Sequence, residues 1–171
     1  MNTRAPNPAT DADADANAAE VDARPAALSL GPLANIAGFH LARAAVTTYD
    51  AFERFIGKPF DLKKVEFSLL MLVQANSAIA PKRLARALAV TAPNLTLLLD
   101  RLQQRGLIKR ERNPLDGRSQ HVVLTERGRK LARDAAAAAD PMERELQERL
   151  SRAEHAMLIE LLGKLAARNP P

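Results

Sequence analysis

The sequence predicts a mainly α fold. It is a winged helix-turn-helix, with a three-helix core plus a two-stranded β-wing, joined to a helical dimerization lobe drawn from both chain ends. Three observations predict it. Arg83 to Thr125 reads as a helix, a short connection, a second helix and a hairpin with a dense turn signal at its tip. Positive charge gathers there: residues 82–130 hold twelve Lys or Arg against four acids, whereas residues 1–30 hold two Arg against five acids. Apolar stripes at three- and four-residue steps recur over Leu33–Ile56 and Met157–Leu165, at opposite ends of the chain. A small winged head cannot cover both.

Residues 1–29 are Ala, Asp, Asn and Pro with almost no large apolar side chains, which predicts a disordered acidic tail. Residues 30–60 form the N-terminal part of the dimerization lobe. Leu33, Ile36, Ala37, Leu41, Ala44, Phe52 and Phe55 set a helix that Gly57-Lys58-Pro59 stops. Residues 61–125 form the winged domain. A helix fits Lys63–Gln74, with Phe67, Leu69, Leu70 and Leu72 giving it a buried character. Pro81 suits the first turn of a third, short helix through Leu88.

Ala89-Val90-Thr91 then leads into a fourth helix. Thr91 is its expected N-cap, the hydroxyl accepting a hydrogen bond from an orphan backbone N–H. Pro93 is tolerated in that first turn. Leu95, Leu98, Leu99 and Leu102 face inward, and the helix ends near Gly106. Strands Leu107–Arg112 and Gln120–Leu124 flank the turn Asn113-Pro114-Leu115-Asp116-Gly117. Residues 126–171 supply a long linker helix and a C-terminal dimerization helix. Thr125-Glu126-Arg127 opens the first, whose run Ala135–Ala139 permits close helix approach and whose Pro141 is expected to kink or divide it. Ser151-Arg152-Ala153-Glu154 is a capping box for the second.

Composition excludes several chemistries. The 171 residues include no Cys, which removes disulfides, thiolate metal sites and thiol redox sensing. His40, His121 and His155 lack ligand spacing, so no metal or cofactor is expected. No nucleophile has a neighbouring base, and no phosphate loop or usefully spaced acid pair is present, so catalysis finds no support. No apolar run approaches the roughly 20 residues that span a bilayer, and no signal pattern opens the chain. A cytoplasmic protein without membrane partners is the expectation.

A basic helix-turn-helix with a wing points to DNA. The major groove admits one α-helix, and the fourth helix should enter it with Thr91, Ala92, Pro93, Asn94, Thr96 and Leu97 foremost. Asn94 suits adenine bidentately, Thr96 offers a hydroxyl or a methyl, and Pro93 and Leu97 suit thymine methyls. Arg and Lys are scarce on this face, which predicts an A·T-leaning site. On the wing, Arg118 suits a narrow minor groove, with Asp116 and Ser119 beside it. Lys82, Arg83, Arg86, Arg101, Arg110 and Arg112 are candidates for phosphate contacts, which position without reading sequence. Arg101 and Arg105 also suit scaffold pairs with Asp100 or Glu111.

The stretch LDRLQQRGLIKRERNPLDGRSQHVVLTERG (Leu99–Gly128) contains D-R-L-x-x-R-G-L-I from Asp100, a D-x-R at Asp116 and Arg118, and a closing L-T-x-x-G. On these residues the chain resembles the MarR family of bacterial transcriptional regulators, over about Leu33 to Ala167. The resemblance implies a homodimer with interlocked terminal helices, a double-stranded DNA operator, and the same wing roles for Asp116 and Arg118. It also implies a cleft for a small aromatic carboxylate or phenolic effector. His40, Arg43 and Thr47 share one helix face, and Arg43 suits a carboxylate clamp. Phe67 and Met71, with Phe39 and Leu70, would wall the cavity. The same His and Arg also suit cross-chain hydrogen bonds, and Phe67 suits plain core. The reading is a sequence-specific dimeric repressor, released from a pseudo-palindromic operator by such a ligand. The alternatives are a ligand-independent architectural DNA binder and a dimeric helical adaptor for an acidic protein.

Overall fold

The computed structural model describes residues 28–112 and 120–167. The expected tail at 1–29 therefore lies almost wholly outside the described residues. The described residues through Ala37 and those from Gly38 onward belong to two separate units. The first contains a 3-10 turn, Gly31–Asn35.

The helix expected over Leu33–Ile56 is shorter at its start and does not stop where Gly57-Lys58-Pro59 predicted. Helix α1 spans Ala37–Phe52. A π turn over Glu53–Gly57 then leads directly into the short α2, Lys58–Phe60. Inside a regular helix Pro59 would lack a donor and press on the carbonyl four residues back. The wider turn bonds the Lys58 N–H to the Glu53 carbonyl instead. Pro59 thereby falls in the first turn of α2, where its missing N–H costs nothing. The chain leaves the helix at Asp61, with φ 49°.

Helix α3 spans Lys64–Asn76. The Glu66 carboxylate, one turn in, accepts from the Lys63 N–H at 2.9 Å. Helix α4 covers Pro81–Ala87 and α5 covers Ala92–Gln104. Ala89 takes φ 52° in the turn between them, and the Val90 N–H bonds the Ala85 carbonyl at 3.0 Å. Thr91 holds the N-cap position but its hydroxyl caps nothing. Pro93 occupies the second helical position, so one of the two usual donors to an N-cap oxygen is missing.

Leu95, Leu98, Leu99 and Leu102 are buried, as their spacing predicts. The helix closes on Gly106, φ 67°. The Leu107 N–H bonds the Leu102 carbonyl and the Gly106 N–H bonds that of Gln103, both at 2.9 Å, a Schellman closure that satisfies two orphan carbonyls.

Strand β1 (Ile108–Arg112) pairs antiparallel with β2 (Gln120–Leu124), Ile108 opposite Leu124 and Arg110 opposite Val122. Ile79, between α3 and α4, makes an isolated bridge to Val122 with reciprocal backbone bonds of 2.9 and 3.2 Å. The hairpin base is thus tied to the helices. The core lies beneath, where Ile56, Leu69, Leu70, Leu84, Leu102, Leu107, Ile108 and Val122 are fully buried.

Helix α6 runs unbroken over Glu126–Gln147, so Pro141 does not divide it. Ala137, whose carbonyl loses its donor to that proline, is exposed and open to water. Thr125 caps the helix: its hydroxyl accepts from the Gly128 N–H at 3.0 Å and donates to the Gly106 carbonyl at 2.7 Å. Ala132 and Ala135 are buried in the core, and α6 packs on α3 and on the π turn.

Helix α7 spans Arg152–Ala166 behind the predicted capping box, with Ser151 N–H to Glu154 at 2.7 Å and Glu154 N–H to the Ser151 hydroxyl at 3.3 Å. None of its residues is buried, and Met157, Leu158, Leu161, Leu162 and Leu165 are all exposed. No helix among the described residues is long and apolar enough to cross a membrane.

The backbone and hydroxyl of Ser151 hold the Glu154 carboxyl below its usual range. A lowered folded-state pKa stabilises above the unfolded value and is lost as pH falls through the folded one. Amide protection at the start of α7 is therefore expected to hold at neutral pH and to drop once pH passes below the ordinary carboxylate range. Glu154→Gln should abolish that dependence, whereas Ser151→Ala, which keeps the backbone donor, should only weaken it. Hydrogen exchange resolved by residue checks both.

Candidate nucleic-acid interface

Helix α5 divides along its length. Its leucines bury one face, and Thr91, Ala92, Pro93, Asn94, Thr96 and Leu97 are all exposed on the other. Leu97 is the extreme case: 67% of its surface is open, although it is a large apolar residue in the middle of a well-formed helix. The Thr96 hydroxyl turns back and donates to the Ala92 carbonyl at 3.1 Å. On α4, Lys82, Arg83 and Arg86 are exposed or partly so, and Arg112 on β1 is exposed.

Among the described residues, acids hold two of the six candidate phosphate residues. Arg110 pairs with Asp100 at 2.5 Å. Arg101 approaches Glu66 at 3.5 Å. The expected scaffold partners of Arg101 and Arg105 need correction. Asp100 is taken by Arg110 and Glu111 by Lys109, while Arg105 reaches Asp61 at 3.3 Å and Glu66 at 3.6 Å.

Glu66 is not among the residues that the sequence singles out. It is 2% exposed and gathers the Lys63 N–H and two arginines of the α5 end of the head. Its signal is its place three residues after Lys63, at the acidic position of a capping box whose first residue is not Ser or Thr.

The wing-tip residues Asp116, Arg118 and Ser119 lie outside the described residues. Of the expected effector set, Phe39 meets His40 edge to face at 5.5 Å, and the Arg43 guanidinium sits 5.6 Å from the Phe39 ring. Thr47 is exposed on the same helix. Phe67 packs edge-on to Phe52 at 5.8 Å, and Met71 lies against the core. Leu70 is corrected: at 0% exposure it is sealed among core side chains and offers no surface to a ligand. A cleft of about 520 Å³ opens elsewhere, lined by the π turn at Glu53 and Gly57, by Lys58 and Lys63, and by Glu66 with its arginines. Among the described residues, no group of three His, Asp or Glu side chains is placed to hold a metal ion.

A helix pair that buries one face of α5 and bares the other, braced by a β-wing, defines a winged helix-turn-helix regulator. The sequence pattern of the MarR family matches residues 60–119. The chain is 30% identical over 105 residues to the transcriptional regulator HosA of Escherichia coli O111:H-, across 61% of this chain and 78% of that protein. The solved transcriptional repressor CouR, bound to a 23-mer DNA duplex, superimposes with a TM-score of 0.75 at 33% identity, covering 82% of this chain and 99% of that one. CouR bound to p-coumaroyl-CoA gives 0.73 at 30% identity, over 83% and 99%. The chain belongs to the MarR family and is a transcriptional regulator.

Proposed function

We propose that the protein is a homodimeric repressor that reads an A·T-leaning pseudo-palindromic operator and leaves it when a small aromatic acid or phenol binds. One observation carries the reading: α5 presents six exposed residues from its N-terminal end while its leucines anchor it to the core. Docked in a major groove, that face meets base edges. Lys82, Arg83, Arg86 and Arg112 sit on flanking elements where phosphates would run. CouR has been solved both on a DNA duplex and with p-coumaroyl-CoA. Those two states are of the kind this reading requires.

Dimerization rests on the uncovered apolar face of α7, an area that a monomer rarely leaves in water. Two heads carried on such a lobe favour half-sites about 10 bp apart. The ligand would act by preferring a head spacing that the duplex does not accept. Arg43, braced by Phe39, is the proposed carboxylate contact, with His40 and Thr47 on the same helix and Phe67 and Met71 of α3 as the proposed apolar wall.

Fluorescence anisotropy on duplexes tiled from the upstream region, with and without a panel of aromatic carboxylates, tests this. One tile bound tightly and released by one acid is the expected result. Binding that no acid relieves would remove the effector, and uniform binding to every tile would favour an architectural role. Arg118→Ala is expected to weaken the preferred tile by about tenfold or more, and Asn94→Ala to relax one base preference by a similar factor. An adaptor for an acidic protein would tolerate both.

A further inference from the structure

We infer that α5 reads the operator chiefly through thymine 5-methyl groups, with Ala92, Pro93, Thr96 and Leu97 as the specificity-determining strip. This rests on the DNA-reading role proposed above and goes further by naming the chemical group recognised.

Ala92 and Thr96 are four residues apart, as are Pro93 and Leu97, so the two pairs form adjacent rows along the first two turns of the helix. Each of the four is exposed. Three end in hydrocarbon. The fourth, Thr96, donates its proton to the Ala92 carbonyl at 3.1 Å, which leaves its methyl as the side chain's unengaged end.

The next residue on the Pro93–Leu97 row is Arg101, which would extend the strip with a guanine-reading group. It reaches instead toward the buried carboxylate of Glu66 at 3.5 Å. The face therefore joins an apolar strip to Asn94 and Thr91, with no cation among the six foremost residues. In the major groove the feature complementary to hydrocarbon is the thymine C5-methyl. An exposed leucine at this place is unfavourable in water, and a methyl that covers it offsets that cost.

The test begins with selection of a preferred duplex from a random library, using the full-length protein. Each dT of the selected site is then replaced by dU, which removes the methyl and leaves the hydrogen-bonding edge intact. At one or more positions in each half-site, affinity should fall about fourfold per methyl. At those positions a 5-methyl-dC·dG pair should bind more tightly than dC·dG.

Thr96→Val keeps the methyl and should retain the dT-to-dU ratio, whereas Thr96→Ser keeps the hydroxyl and should reduce it. Leu97→Ala should reduce it as well. Equal affinity for dT and dU duplexes, with a preferred site still selected, would overturn the inference and leave the DNA-reading role standing. Loss of the ratio in Thr96→Val but not in Thr96→Ser would show that the hydroxyl reads, and overturn it too. A library that yields no preferred site would overturn both.

Discussion

Replacing Gly128 with alanine is expected to cost about 3 kcal/mol of stability, the upper end for overpacking a closed site. A Cβ at Gly128 would stand 1.8 Å from the Leu107 carbonyl oxygen. That oxygen is backbone, and it already accepts the Thr125 N–H at 3.1 Å, so no side-chain rotation relieves the clash. The first turn of α6 would have to back away from the wing, breaking the Thr125 hydroxyl bond to Gly106. Thermal or urea unfolding at fixed protein concentration checks this, because self-association makes stability depend on concentration. A change below about 1 kcal/mol would mean that the approach relaxes easily.

The second large effect is expected at Glu66. Glu66→Ala leaves the Lys63 N–H without its acceptor and sets Arg101 and Arg105 loose. Removing one partner of a fully buried pair costs about 3–5 kcal/mol. Arg101 is about half exposed, so water screens part of that loss, and about 2 kcal/mol is the expected figure. Glu66→Gln should cost less, since its carboxamide oxygen still accepts the Lys63 N–H. Both variants should also weaken operator binding, because Arg101 lies on α5 itself. Stability unchanged in Glu66→Ala would show that the arginines and the α3 start hold without it.

The winged head is largely legible in the sequence because its helices are simple amphipathic objects. Leu95, Leu98, Leu99 and Leu102 set α5 by period alone, and Gly106 marks its end by a backbone angle that few other residues adopt. Sequence and structure part where a local rule meets a second constraint. Gly57 and Pro59 usually stop a helix, but a π turn absorbs the proline, and such a turn has no simple sequence signature. Thr91 is a good cap residue, but Pro93 removes one of its two usual donors and its hydroxyl caps nothing.

The candidate site is legible in its exposed half and hidden in its buried half. Which α5 residues face outward follows from which ones face inward. Glu66 and Arg101 are 35 residues apart, and no local pattern joins them. Helical spacing places Phe67 and Met71 one turn apart and suggests a pocket wall that Leu70 would complete, without revealing that the core closes over Leu70.

The bridge from Ile79 to Val122 divides the wing's sequence into two parts under different constraints. Below it, the strands share a ladder with the helices, and a slip of one residue would turn Val122 and Leu124 out of the core. Above it, the register runs on through Glu111 opposite His121 to Arg112 opposite Gln120, held by the strand pairing and not by the core. Exchanges at Glu111, Arg112, Gln120 and His121 can thus accumulate without unfolding the head, while α5 keeps its seat.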